Sequence, residues 1–107
     1  MKKIEVAPCL IGHPFAPIGR GEDVRCTFRA LRAAATPSTL LDLYGVKEPD
    51  PALVAEFKPA LVSVAGDVNI FHLNGDEVDP AFKALGDRLP EESYNIVYPA
   101  WELSSYP

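Results

Sequence analysis

Long apolar runs are missing from this chain. No stretch of roughly 18 apolar residues occurs, so the sequence offers no transmembrane helix. The first residues, Met1-Lys2-Lys3-Ile4-Glu5-Val6, are basic and then apolar. Pro8, His13 and Pro14 interrupt the apolar run, and no small-residue cleavage site follows, so no secretory leader is expected. Cysteine is scarce. Cys9 and Cys26 are the only two, and they do not form a C-x-x-C pair. At 17 positions apart, they are read as forming no disulfide. One cysteine falls in a strand-like run and the other in a helix-like run, so two free thiols in a reducing, cytoplasmic compartment are expected. Positive charge is also short. Ten Lys and Arg face 15 Asp and Glu, a net charge of −5, which argues against nucleic acid as the main partner. There is no G-x-x-x-x-G-K-[ST] phosphate loop and no G-x-S-x-G nucleophile elbow. No internal repeat or low-complexity tract occurs.

What is present fits one small globular domain. The chain has 107 residues, 48% of them hydrophobic and 23% charged. Eleven prolines, about twice the usual share, divide it into short elements. Charge is uneven. Residues 1–32 carry six basic and three acidic side chains, and residues 33–107 carry four and twelve. A positive N-terminal patch on an acidic body suits a phosphate or a carboxylate, although scattered solvated charge explains it equally well.

Residues 3–12 read as a first strand, mostly apolar, with Pro8 as the objection. A loop follows. A helix is then expected over 21–35, with Val24, Phe28, Leu31 and Ala35 on one stripe, Glu22 and Asp23 in the first turn, and Pro37 as the stop. Residues 38–44 read as a second strand, and Pro51 to Phe57 as a weak helical stretch. Residues 60–65 and 68–73 are short apolar runs, the second the better strand. Asn74-Gly75-Asp76 reads as a turn. Asp79 is the expected cap of a helix with Pro80 in its first turn, carried by Val78, Phe82, Leu85 and Leu89 and stopped by Pro90. Residues 94–98 form the last expected strand. Strands alternating with helices imply an α/β fold, a Rossmann-like parallel sheet flanked by helices and joined by right-handed crossovers. The sequence ends in dense aromatic residues rather than a polar linker, which suggests a chain that continued.

Gly19-Arg20-Gly21-Glu22 opens the first long helix soon after the first strand. Glycines there let backbone amides approach an anion at a helix N-terminus, with Arg20 adding charge. A plain chain reversal is the alternative. The segment fails as a dinucleotide fingerprint because Val24 stands where Gly or Ala is needed, although Asp42 lies where a ribose-binding acid would be. His72 ends a strand, where it either faces a ligand or sits hydrogen-bonded in the core. The acids after it read as helix caps rather than metal ligands. Tyr94, Tyr98, Trp101 and Tyr106 with Glu102 suit either a sugar ring or an interface.

Three segments taken together resemble a family. Ile18-Gly19-Arg20-Gly21-Glu22-Asp23-Val24-Arg25, then residues 69–76 (NIFHLNGD), then residues 94–107 (YNIVYPAWELSSYP) stand in the order found in the N-terminal part of bacterial group 1 glycosyltransferases. Pro99 departs from the usual aromatic residue, and residues 46–66 match no part of the pattern. The resemblance implies one half of a GT-B architecture, with residues 1–107 as the acceptor-side domain and the C-terminal donor-binding domain absent. It implies transfer of a hexose from a nucleotide sugar to a glycan or lipid-linked acceptor, in the cytoplasm at the inner face of the membrane, with this chain inactive by itself. By the same resemblance, Gly19, Arg20, Gly21, Glu22, Arg25, Asn74, Asp76, Trp101 and Glu102 would line the cleft. No metal or resident cofactor is implied, and no catalytic base. Two rivals stand beside it: a stand-alone binding module for a phosphate or sugar ligand, and a partner-binding domain. Self-association through the 94–107 aromatic face is expected.

Overall fold

The computed structural model describes residues 7–16, 20–43, 45–73 and 75–98. Four parallel strands form one sheet: β1 (Cys9–Gly12), β2 (Thr39–Asp42), β3 (Val68–Phe71) and β4 (Tyr94–Val97), in the order β2-β1-β3-β4. Three α-helices connect them, α1 (Arg20–Ala33), α2 (Pro51–Phe57) and α3 (Val78–Leu85). The expected α/β class with a Rossmann-like parallel sheet is what forms.

The course of the chain explains the layers. Leu61 makes a lone parallel bridge to Leu40 on the outer side of β2. The chain therefore moves outward from β1 through β2 to Leu61, then crosses back to build β3 and β4 on the other side. Right-handed crossovers running in one direction must share a face, and reversing direction changes the face. Accordingly α1 and α2 cover one side, where Val24, Phe28 and Phe57 pack on Leu10 and Leu40. α3 covers the other, where Ala81 and Leu85 pack with Ile11, Leu41 and Phe71. β1, at the centre, is buried along its whole length, which fits its unbroken apolar run Cys9-Leu10-Ile11. Strand β4 is the edge, and all four of its residues are exposed.

Local chemistry sets the element ends. Asp50 accepts a hydrogen bond from the Ala52 amide at 2.9 Å and caps α2, with Pro51 in the first turn. Helix α1 stops earlier than its periodicity predicts. Ala35 takes φ = 57°, and the Thr36 amide donates back to the Leu31 carbonyl at 2.8 Å, a left-handed closing turn that ends the helix before Pro37. The expected cap at Asp79 is corrected: α3 begins at Val78, and Asp79 and Pro80 lie in its first turn. A 3-10 turn over Gly75–Glu77 runs straight into the helix, so no extended residue remains to act as a side-chain cap. Its end is also earlier, at Gly86 with φ = 49° rather than at Pro90. The apolar run 60–65 contributes a single bridge instead of a strand.

Asn69 is one of three buried polar side chains among the described residues, with Arg25 and His72. It is fully buried, accepts from the Gly66 amide at 2.8 Å, and donates to the Gly66 carbonyl at 2.8 Å and to Asn95 Oδ1 at 2.9 Å. Asn69 and Asn95 are register partners, so the pair ties β4 to β3 by side chains as well as backbone.

Candidate functional site

In open parallel sheets, ligands bind beyond the carboxyl ends of the strands, where the order of the chain reverses. Here that point lies between β1 and β3. Register places Gly12 opposite Asp42, and continuing the ladders by one step sets His72 beside Gly12 and Tyr98 beside His72. Backbone bonds confirm the step: the His72 amide donates to Ile11, and the Tyr98 amide to Phe71. Side chains alternate along a strand, and paired residues of parallel strands share a face. Asp42, Gly12, His72 and Tyr98 therefore form one row across the carboxyl edge, on the face that α1 covers.

The row has a gap and a histidine beside it. A Cβ added to Gly12 would meet the His72 carbonyl at 3.2 Å and the His72 Cβ at 3.4 Å, so this strand position is kept bare. His72 is 1% exposed, and neither Nδ1 nor Nε2 has a hydrogen-bond partner among the described residues. A buried histidine normally satisfies its nitrogens. Burial pushes its pKa below the usual histidine range, and the Asp23 carboxylate from the first turn of α1 opposes this weakly. The imidazole is thus held neutral, with one N–H donor and one bare acceptor. The Tyr98 ring lies against it, centroids 5.3 Å apart.

The loop leaving β1 is held by the helix it leads to. Arg25, buried at 6% exposure, donates through Nη1 to the carbonyls of Pro14 and Ala16. Gly21 must be glycine for the same reason: a Cβ there would overlap the Ala16 carbonyl and stand 2.7 Å from Arg25 Nη1. Across the switch point, His13 Nε2 lies 3.5 Å from Glu77 Oε2, joining the β1 loop to the turn after β3.

The residues singled out from sequence separate into groups. Gly21 and Arg25 sit side by side and shape the loop; Arg25 binds backbone carbonyls there. Glu22 is exposed on the first turn of α1, where it complements the helix dipole. Arg20 is the first residue of α1, and its side chain lies outside the described set. Asp76 is exposed in the turn after β3. Gly19, Asn74, Trp101 and Glu102 lie outside the described residues. Of the aromatic residues, Tyr94 and Tyr98 stand at opposite ends of β4 and do not touch as a cluster, and Trp101 and Tyr106 are outside the described residues. Asp42 Oδ1 accepts from the Gly45 amide at 3.0 Å, a local turn.

Sequence reading offered two fates for His72, facing a ligand or hydrogen-bonded in the core. The structure shows a third, buried and without a hydrogen-bond partner among the described residues. Its only sequence signal was a histidine directly after a strand, in register with a glycine that ends another. Both cysteines are free, Cys9 buried and Cys26 exposed. Among the described residues no group of three or more His, Cys, Asp or Glu is placed to hold a metal, and no helix is long and apolar enough to cross a membrane. A shallow groove of about 340 Å³, lined by Phe28, Arg32, Thr36 and Ser38, lies at the opposite, amino-terminal edge of the sheet, away from the switch point. Comparison of the chain with family models, with curated proteins and with solved structures finds no match.

Proposed function

We propose that this chain is the acceptor-side part of a glycosyltransferase that moves a hexose from a nucleotide sugar to a glycan or lipid-linked acceptor. The observation that carries the reading is His72: a neutral, fully buried imidazole with neither nitrogen partnered among the described residues, beside the bare Gly12, at the switch point of a Rossmann-like sheet. A sugar hydroxyl donates one hydrogen bond and accepts one. A neutral imidazole matches that pair, whereas a phosphate would favour the charged form. Helix α1 starts at Arg20, in the connection that follows β1, and a helix N-terminus carries the positive end of the dipole, which favours an anion such as a donor diphosphate. Of the three sequence segments that resemble group 1 glycosyltransferases, the described residues fall in the first turns of α1, in and just after β3, and in β4.

In this reading the chain binds and orients, and the donor-binding half lies outside it. The edge strand β4, with Tyr94, Ile96, Val97 and Tyr98 exposed, supports the proposal that this face associates with a second copy when nothing else covers it.

The test is a titration of the isotope-labelled protein with oligosaccharides, nucleotide hexoses and inorganic phosphate, following the backbone amides of Gly12, His13, Gly21 and His72. Glycan-dependent shifts at Gly12 and His72 that phosphate does not reproduce support the reading. Shifts from phosphate alone move the assignment to a phosphate-binding module. No shift from any glycan or nucleotide hexose removes it.

A further inference from the structure

Among the described residues, the row across the sheet gives His72 two flanking neighbours, Gly12 and Tyr98. On one side stands Gly12 in the fully buried central strand, whose backbone is fixed by ladders to both β2 and β3. On the other side lies Tyr98, and its situation is different. It is 56% exposed, it follows the edge strand, and its hydroxyl makes no hydrogen bond among the described residues. Its backbone amide is anchored to Phe71 at 2.7 Å, so the main chain is held while the side chain is not. The ring touches the imidazole at a tilt of 42°, a loose contact rather than a stack.

We propose that Tyr98 is the movable cover of His72: its ring swings off the imidazole to admit a ligand hydroxyl group and returns to close over it. This rests on the reading of His72 as a ligand contact, and it adds the residue that decides when His72 is accessible. The physical basis is an imbalance. Both imidazole nitrogens are shut away from water without a partner, which is unfavourable for as long as the cover is closed. Rotating an exposed side chain about its own χ1 disturbs no core packing, and such rotations are fast. Opening satisfies the nitrogens, with water first and then with the ligand. Closing removes water from around the bound hydroxyl and strengthens its hydrogen bonds. Tyr98 is a positioning residue here, acting through His72.

The experiment measures access to His72 without any sugar. Diethyl pyrocarbonate acylates an unprotonated imidazole nitrogen, and peptide mass spectrometry reads His72 and His13 separately. Tyr98→Ala is expected to raise the His72 modification rate by about tenfold or more, because the opening step no longer precedes the reaction. The His13 rate should stay at the wild-type value, which a general loosening of the fold would not allow. Tyr98→Phe, which keeps the ring, should leave His72 as slow as in the wild type. Equal His72 rates in the wild type and in a folded Tyr98→Ala protein overturn the proposal, as does a Tyr98→Phe protein as fast as Tyr98→Ala. Should Tyr98→Ala not fold, Tyr98→Trp tests the same point with a larger cover: slower modification supports it, and equal or faster modification overturns it. Failure here leaves the glycan titration untouched, and a failed glycan titration leaves the cover in place.

Discussion

Arg25 holds the carbonyl of Ala16 at 2.6 Å, nine residues back along the chain, and the same nitrogen holds the Pro14 carbonyl at 2.8 Å. A buried guanidinium with no carboxylate within ion-pair distance among the described residues is therefore committed to backbone. Charge-assisted bonds of this kind are stronger than neutral ones. Arg25→Met is expected to destabilise the protein by about 2–3 kcal/mol, measured as a lower urea midpoint at unchanged slope. Arg25→Lys should recover only part of this, because an ammonium is a compact point charge on a flexible stem where the guanidinium is a planar fork.

Gly21→Ala places a methyl group against the Ala16 carbonyl and Arg25 Nη1. Neither neighbour can yield without breaking the latch, so a loss of about 1–3 kcal/mol is expected. The two substitutions share a partner, and the double variant should lose less than the sum of the singles. Glu22→Ala, one residue away but exposed, serves as the control and should stay within about 0.5 kcal/mol of the wild type.

His72 makes stability depend on pH with a definite sign. Its folded pKa is depressed by burial, so between the folded and unfolded values the unfolded chain binds the extra proton. Stability is fully present above the unfolded pKa, about 6.5, and is lost as pH falls below it toward the folded value. Thermal unfolding of the wild type against His72→Gln at pH 7.5, 6.5 and 5.5 reads the difference. The wild type should lose its relative advantage on the acid side, and parallel curves would exclude this role for His72.

Glu56 shows the carboxylate form of the same linkage. Arg29 binds it through two nitrogens at 2.8 and 3.0 Å, and Arg32 adds a bond at 3.0 Å. The bond from Arg29 is the main cause that lowers the Glu56 pKa to about 2. Its contribution is present above the unfolded carboxylate pKa of about 4.3 and fades as pH falls toward 2. The group is partly solvated, so no more than about 1 kcal/mol is expected. Glu56→Gln should be less stable than the wild type at pH 6, with the gap closing by pH 2 in urea melts.

Asn69→Ala removes three part-buried hydrogen bonds and leaves the Gly66 amide, the Gly66 carbonyl and Asn95 without that partner. Because these partners keep some access to water, a loss of about 1–3 kcal/mol in all is expected. Loosening should concentrate in β4, because Asn95 belongs to that strand. Amide hydrogen exchange checks this: Ile96 and Val97 should lose protection well before Leu10 and Ile11.

How much of this was legible beforehand follows from the range of each interaction. The α2 span, Pro51 to Phe57, reads from sequence as a weak helical stretch, and it forms over those residues with Asp50 as its cap. Strands β3 and β4 and the apolar stripe of α1 could be read directly, because they are periodic within a few residues. The end of α1 could not, since Ala35 in a left-handed turn has none of the glycine that usually announces one. Nor could the start of α3, where a 3-10 turn displaced the expected Asp79 cap. Tyr98 read as one of an aromatic cluster, yet its contact is His72, 26 positions earlier.

The sequence by itself determined the class of the molecule: alternating strands and helices, a parallel sheet, scarce cysteine, a glycine-bearing helix start and a histidine at a strand end. Those properties depend on neighbours in the chain, where periodicity and turn chemistry act. Three relationships come only from tertiary packing: Arg25 latches the loop, Gly12 lies bare beside His72, and the Tyr98 ring rests against that histidine. Each joins residues on different elements, and register across a parallel sheet is settled by which apolar faces can be buried together, a condition on the whole chain at once.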